Sequence, residues 1–135
     1  QILKIEREVK YGKNCKIDFL ITDKNKKKIW VEVKSVTLSR QEGIAEFPDS
    51  ATSRGSKQFI QLKQKLLNEQ EVIIIYLIQR KDCNNFKLAS DIDMKYSRLY
   101  TELKELGLKS IAVNCDISDN EIKINFKNKV KILDE

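Results

Sequence analysis

Residues 72–78, Val-Ile-Ile-Ile-Tyr-Leu-Ile, form the longest apolar run of the chain and carry no charge. Seven residues, mostly β-branched, are too few for a core helix. They suit a strand buried on both faces, the place of a central strand in a parallel or mixed sheet. A membrane span needs ~20 apolar residues, so this run also excludes one. The rest of the chain has to be arranged around it.

Upstream, Ile5, Arg7, Val9 and Tyr11 alternate with Glu6, Glu8 and Lys10, a period of two that predicts a strand, with a partly helical start as the alternative. Gly12-Lys13-Asn14 predicts a turn, residues 16–22 a second strand, and residues 23–28 a lysine-rich turn. Residues 29–36 predict a third strand with Ile29, Val31 and Val33 toward the core. Residues 38–50 hold Gly43 and Pro48 and are expected to be irregular. In residues 52–68 Phe59, Leu62 and Leu66 recur at helical spacing, joined by Ile60 and Leu67, opposite Arg54, Lys57, Gln58, Gln61 and Lys65. A second helix, capped by Ser90 or Asp91 and running to Leu106, stops at Gly107, and strands follow at 111–115 and 122–126. Strands first, then alternating helices and strands, predict an α/β fold: a mixed β-sheet flanked by helices. A length of 135 residues predicts one domain, 1–135.

Composition narrows the chemistry. With no histidine, the chain has no His-based triad, no His general acid–base pair and no His metal ligand. Its three cysteines form no CxxC pair, which argues for reduced thiols and against a zinc ribbon. The charged N-terminal alternation is no signal peptide, so a cytoplasmic location is expected. The net charge of +6 is mostly lysine, which fits a nucleic-acid footprint and equally a lysine-rich genome. Any catalysis rests on carboxylates, lysines and a hard metal ion.

Those residues recur in one arrangement. Asp18 lies on one predicted strand and Glu32-Val33-Lys34 on the next, where positions i and i+2 share a face. Two carboxylates held side by side suit Mg²⁺ or Mn²⁺, and the Lys34 ammonium suits phosphate charge or an attacking water. Glu-x-Lys also occurs at 8–10, 102–104 and 121–123, but only the 32–34 triplet joins an apolar strand to an upstream aspartate strand and a downstream helix. Pro48-Asp49 has no such strand close behind it. The competing reading of Asp18, Glu32 and Lys34 is an exposed sheet face with cross-strand ion pairs.

Several stretches together resemble the sugar fermentation stimulation protein A family: residues 8–12 (EVKYG), 16–20 (KIDFL), 31–38 (VEVKSVTL), 45–49 (AEFPD) and 52–57 (TSRGSK). The resemblance implies a restriction-endonuclease-like PD-(D/E)xK core and DNA binding without strong sequence preference. It also implies a link to sugar (maltose) metabolism, and the smaller OB-like domain that precedes this one in the family is expected to be absent here. Carried over, Asp18, Glu32 and Lys34 are the catalytic positions, Asp18, Glu32 and Glu8 the metal positions, and Arg54, Lys57 and Lys16 the DNA contacts. Where the family commonly has Lys-His the chain has Lys57-Gln58, and Cys15-Lys16 replaces Ser-Arg. Trp30 shares parity with Glu32 and is read as packed beneath a loop in preference to stacking on a base. Two functions follow: a Mg²⁺-dependent, nuclease-like DNA-binding protein, or a non-catalytic DNA-binding regulator.

Overall fold

A computed structural model describes residues 1–133. In chain order the elements are β1 (Ile2–Tyr11), β2 (Cys15–Asp23), β3 (Lys28–Val36), β4 (Leu38–Gln41), β5 (Ile44–Phe47), α1 (Ser53–Leu67), β6 (Glu71–Ile78), β7 (Asn85–Leu88), α2 (Met94–Glu105), β8 (Lys109–Ile117), β9 (Ile122–Asn125) and β10 (Lys131–Ile132). Six strands make one sheet in the order β1-β2-β3-β6-β8-β9, and four make a second in the order β10-β7-β5-β4. β1, β2 and β3 form an antiparallel meander, β3, β6 and β8 run parallel, and β9 returns antiparallel on β8. The α1 and α2 crossovers supply the length that parallel neighbours require.

The expected mixed α/β arrangement is therefore present, with three differences. First, residues 38–47 are not irregular: they form the β4–β5 hairpin, whose β5 pairs with β7, itself paired with β10, as the second sheet, and only residues 48–50 stay outside any element. Strands of four and two residues fall below the length at which alternation can be read. Second, α2 starts at Met94 with Asp93 as its N-cap, the carboxylate accepting from the Tyr96 N–H, so neither Ser90 nor Asp91 caps it.

The third difference matters most for the site. Both helices pack on one face of the larger sheet, where Val72, Ile74, Tyr76 and Ile78 of β6 are fully buried and Ile73, Ile75 and Leu77 on the other face only partly so. The parallel register sets Trp30, Glu32, Lys34 and Val36 beside Val72, Ile74, Tyr76 and Ile78. The face carrying Glu32 and Lys34 is thus the helix-covered face, and Val31 and Val33 point away from the helices, the reverse of the sequence expectation. β3 is apolar on both sides, so its period cannot say which side the helices take.

Phe59 and Leu62 of α1 and Tyr96, Tyr100 and Leu103 of α2 enter this core. Tyr76 lies at its centre, stacked on Phe86 of the second sheet at 4.5 Å between centroids and hydrogen-bonded through its hydroxyl to that of Tyr96 at 2.9 Å. Trp30 is buried against Tyr11, donates to Gln70 Oε1 at 2.6 Å and lies under the Lys65 ammonium, so it is a packed residue and not a base platform.

The buried Tyr76–Tyr96 pair yields a stability test. Tyr76→Phe leaves the Tyr96 hydroxyl without its partner and should cost about 1–3 kcal/mol in urea unfolding. Adding Tyr96→Phe removes the orphan, so the double variant should be no less stable than Tyr76→Phe alone. Strictly additive losses would refute a coupled pair.

Candidate functional site

The site forms where β2 and β3 part. Their backbone pairing ends at Phe19–Val31, and beyond it the Asp18 carboxylate takes over, Oδ2 accepting the Val33 N–H at 2.7 Å. Asp18 thereby stands beside Glu32, close enough for a hydrogen bond between the two carboxyl groups. Glu32 is only 5% exposed, and its Oε2 is buried without a hydrogen-bond partner. Burial pushes the Glu32 acid up to about 8, helped by Asp18 and opposed by the Lys34 and Arg54 charges. Burial likewise pulls the Lys34 ammonium below its ordinary range, against the Glu32 charge. Lys34 Nζ donates to Gln58 Oε1 of α1 at 2.7 Å, which fixes it over the pair.

Three cavities meet at this point. One of about 470 Å³ is lined by Glu8, Lys16, Asp18, Glu32, Lys34 and Arg54, together with the β1–β2 turn and Gln58. A second, about 310 Å³, shares Asp18, Glu32, Lys34 and Arg54 and continues to Phe47, Pro48, Asp93 and Tyr96. A third, about 470 Å³, lies between the β1–β2 turn and α1, with Lys13, Arg54 and Lys57 in its wall. Arg54 borders all three.

Asp18, Glu32, Lys34, Glu8, Lys16 and Arg54 therefore line one groove, and Lys57 faces the adjoining cavity. Glu8 has a φ of 50° inside β1, a local reversal of an otherwise extended strand. It borders the groove, but among the described residues no three Asp, Glu, Cys or His side chains are gathered closely enough to hold a metal ion together. The turn of the hairpin is fixed by Gly12, whose φ is +53° and where a Cβ would lie 2.2 Å from Gln61 Oε1. That same oxygen accepts the Lys13 N–H at 3.4 Å, tying the turn to α1.

A family model described as the sugar fermentation stimulation protein RE domain matches residues 1–121. The sugar fermentation stimulation protein homolog of Ruegeria sp. (strain TM1040) is 43% identical over 120 residues, 89% of this chain and 52% of that protein. The homolog of Pelagibacter ubique (strain HTCC1062) is 43% identical over 126 residues, 93% of this chain and 54% of that protein. The chain belongs to the sugar fermentation stimulation protein family.

It spans about half the length of these relatives. Its fold is that of Pyrococcus furiosus SfsA, whose structure was solved in complex with Ca²⁺: the TM-score is 0.84 at 24% identity, over 98% of this chain and 55% of that one. The family likeness thus extends over nearly every element that shapes the groove. Sequence reasoning singled out Gln58 only as a departure from a His, whereas the structure gives it a task in holding Lys34. Asp93 and Tyr96 fall within the segment expected to be the second helix, and their place in the groove wall comes from the α2 crossover, which no local pattern reports.

The Glu32 acidity predicts a stability profile. Its folded pKa lies above the ordinary 4.5, so the folded state keeps the proton longer than the unfolded chain. The stability this confers is complete below about 4.5 and is lost as pH rises through about 8. In metal-free buffer Glu32→Gln should gain on the parent across that window, by at least about 1.4 kcal/mol, the equivalent of one pKa unit. Denaturant melts of both proteins at the two ends of the window measure this, and a pH-independent difference would reject a buried, protonated Glu32.

Proposed function

We propose that this domain binds DNA through the groove, holds a divalent cation on Asp18 and Glu32, and serves a metal-dependent phosphodiesterase reaction of the restriction-endonuclease-like PD-(D/E)xK type in the cytoplasm. The observation that carries the proposal is the buried, unpartnered Oε2 of Glu32 beside the Asp18 carboxylate. An ionised carboxylate oxygen with no partner in such a place is costly, and a hard cation is the partner that would relieve it. The P. furiosus relative's Ca²⁺ complex supports the same donor chemistry, because Ca²⁺ and Mg²⁺ both select carboxylate oxygen.

A bound Mg²⁺ or Mn²⁺ would polarise a phosphoryl oxygen and lower the pKa of a water. The chain's own residues do the rest. Asp18 and Glu32 supply the negative charge that draws the cation into the groove, with Glu8 at its border as a further acidic contact. Lys34, steadied by Gln58, presents an ammonium to the phosphate that lies over the pair and stabilises the charge it develops. Arg54, Lys16 and Lys57 contact flanking phosphates; none of the ion pairs among the described residues involves them, so their charge is free for that role. Contacts of this kind read the backbone and give little sequence preference.

One observation favours a second reading, a regulator of sugar (maltose) metabolism that binds DNA without cutting it. The metal-ligand cluster stops at two close carboxylates, and Gln58, which cannot transfer a proton, stands where the family resemblance implies histidine.

Incubation with single-stranded DNA, duplex DNA and RNA, with Mg²⁺ or Mn²⁺, separates the two. Cleavage by the parent and none by Glu32→Gln is the expected result, and metal-dependent binding without product in all substrates would leave the regulator. In a parallel titration without metal at a pH above about 8, where Glu32 is ionised, Glu32→Gln should bind DNA as well as the parent or better, since it removes a charge that repels phosphate. With Mg²⁺ only the parent should gain; an identical metal response in both proteins would sink the metal site.

Binding should also weaken steeply with salt. Arg54→Ala and Lys57→Ala should each lower the slope of log K against log salt by about one and weaken unrelated sequences alike. A strong preference for one sequence would count against backbone reading.

A further inference from the structure

Away from the groove, the six-stranded sheet has a second face that no helix or strand among the described residues covers. Cross-strand registers put Val33, Ile75 and Ile111 in one row and Leu77 beside Val113 in another. β9 extends this face with Ile122 and Ile124, and at the opposite edge Ile5 pairs with Ile21. Ile5, Ile111, Ile122 and Ile124 are 56%, 48%, 60% and 42% exposed, while Val31 and Cys115 of the same face are buried, and none of these residues belongs to the cluster under the helices. Six strands about 4.8 Å apart, each showing about three outward residues, give a footprint on the order of 500 Å². That is the upper end of what a monomer leaves open.

We infer that this face is the interface of a two-fold dimer in which a second copy of the chain lays the same sheet face on the first. Three observations favour a second copy as the occupant. The central strands β3, β6 and β8 are parallel, and parallel sheets are stable when both faces are covered. The surface is a pleated sheet face, and its geometric match is another pleated face about 10 Å away. At one border of the face Lys27 and Lys109 are both held by Glu71, at 3.0 and 3.4 Å, so identical faces meet there without opposed free cations, and the exposed cation within the face is Arg7 on the β1 edge strand. An apolar patch that meets its own copy closes the assembly at two. The footprint is smaller than the ~800 Å² per partner of a standard stable interface, which suits a dimer that dissociates on dilution. The grooves lie on the helix side and face outward, one on each protomer.

Sedimentation analysis of the chain over a micromolar concentration series tests this. The parent should sediment as a dimer that dissociates on dilution. Ile111→Glu/Ile124→Glu, both at exposed positions, should weaken association at least tenfold with an unchanged circular dichroism spectrum. Met94→Glu, an exposed change on α2, should associate like the parent. A monomeric parent throughout the series, open-ended aggregation in place of a closed dimer, or a dimer that survives the Ile111/Ile124 change would each overturn the interface. The outcome does not depend on whether the groove binds metal or DNA.

Discussion

The parallel pairing of β3 with β6 governs where everything else in this molecule lies. It is an eight-pair register without a break, from Ile29–Glu71 to Val36–Ile78. In that register Glu32 and Lys34 fall beside Ile74 and Tyr76, two of the most deeply buried residues of the chain. Shifting β3 by one residue would turn Trp30 and Val36 out of the core and deliver Val31 and Val33 to the helices. Burial of Trp30 and Val36 therefore fixes the register, and the register carries the charged pair into the rim of the core with them. The hydrophobic effect at the two ends of the strand forces a carboxylate and an ammonium into a place neither would choose.

How unusual that place is becomes clear from the other buried glutamate. Glu46 of β5 is 1% exposed, yet both its oxygens are engaged: Arg40 donates to Oε2 at 2.8 Å and to Oε1 at 2.8 Å. Arg40 also grips Asp91 ahead of α2, fastening the second sheet to the second crossover. The guanidinium bonds hold the Glu46 acid below its ordinary range, the mark of a satisfied structural ion pair. Glu32 departs in the opposite direction, because its nearest cation, Lys34, is turned to Gln58, and its nearest acid, Asp18, repels it. A core able to satisfy Glu46 this fully has the means to satisfy Glu32, and instead leaves one oxygen without a partner. Strain of that kind concentrates at sites of function.

Much of this was legible in the sequence and some of it could not have been. The strands of the meander, the β6 run and the helix at 53–67 each have a period strong enough to read, and the family stretches brought Asp18, Glu32, Lys34 and Arg54 together in advance. What stayed hidden was relational. Ile29, Val31 and Val33 look as apolar as Trp30 and Val36, so the sequence is silent about which side of β3 the helices cover. The second sheet was missed because Ile44–Phe47 and Asn85–Leu88 are too short to show alternation, and their pairing with each other spans the whole of α1 and β6. The open sheet face follows from both omissions: once the helices share one side, residues that looked like core on β3 and β6 lie outside it.

Charge placement is the last consequence of the same framework. A surplus of lysine is compatible with a genome rich in its codons, and composition alone gives no reason to prefer function. Position does. Lys4, Lys27, Lys63, Lys109 and Lys123 each lie beside a glutamate, as do Arg40 and Lys87, so part of the basic surface is neutralised by five glutamates. Lys13, Lys16, Arg54 and Lys57 are among the cations outside these pairs, and all four border the cavities at and beside Asp18 and Glu32. No ion pair among the described residues joins the carboxylate pair to them, although the Arg54 charge is felt at Glu32, so two opposite charge sets face the same space with little direct pairing. A polyanion that brings its phosphates to the rim, with a cation on the floor, satisfies both sets at once; either alone satisfies one and leaves the other exposed. That mutual requirement ties the metal and the nucleic acid to one site, and it arises from the depth at which the β3–β6 register sets Glu32.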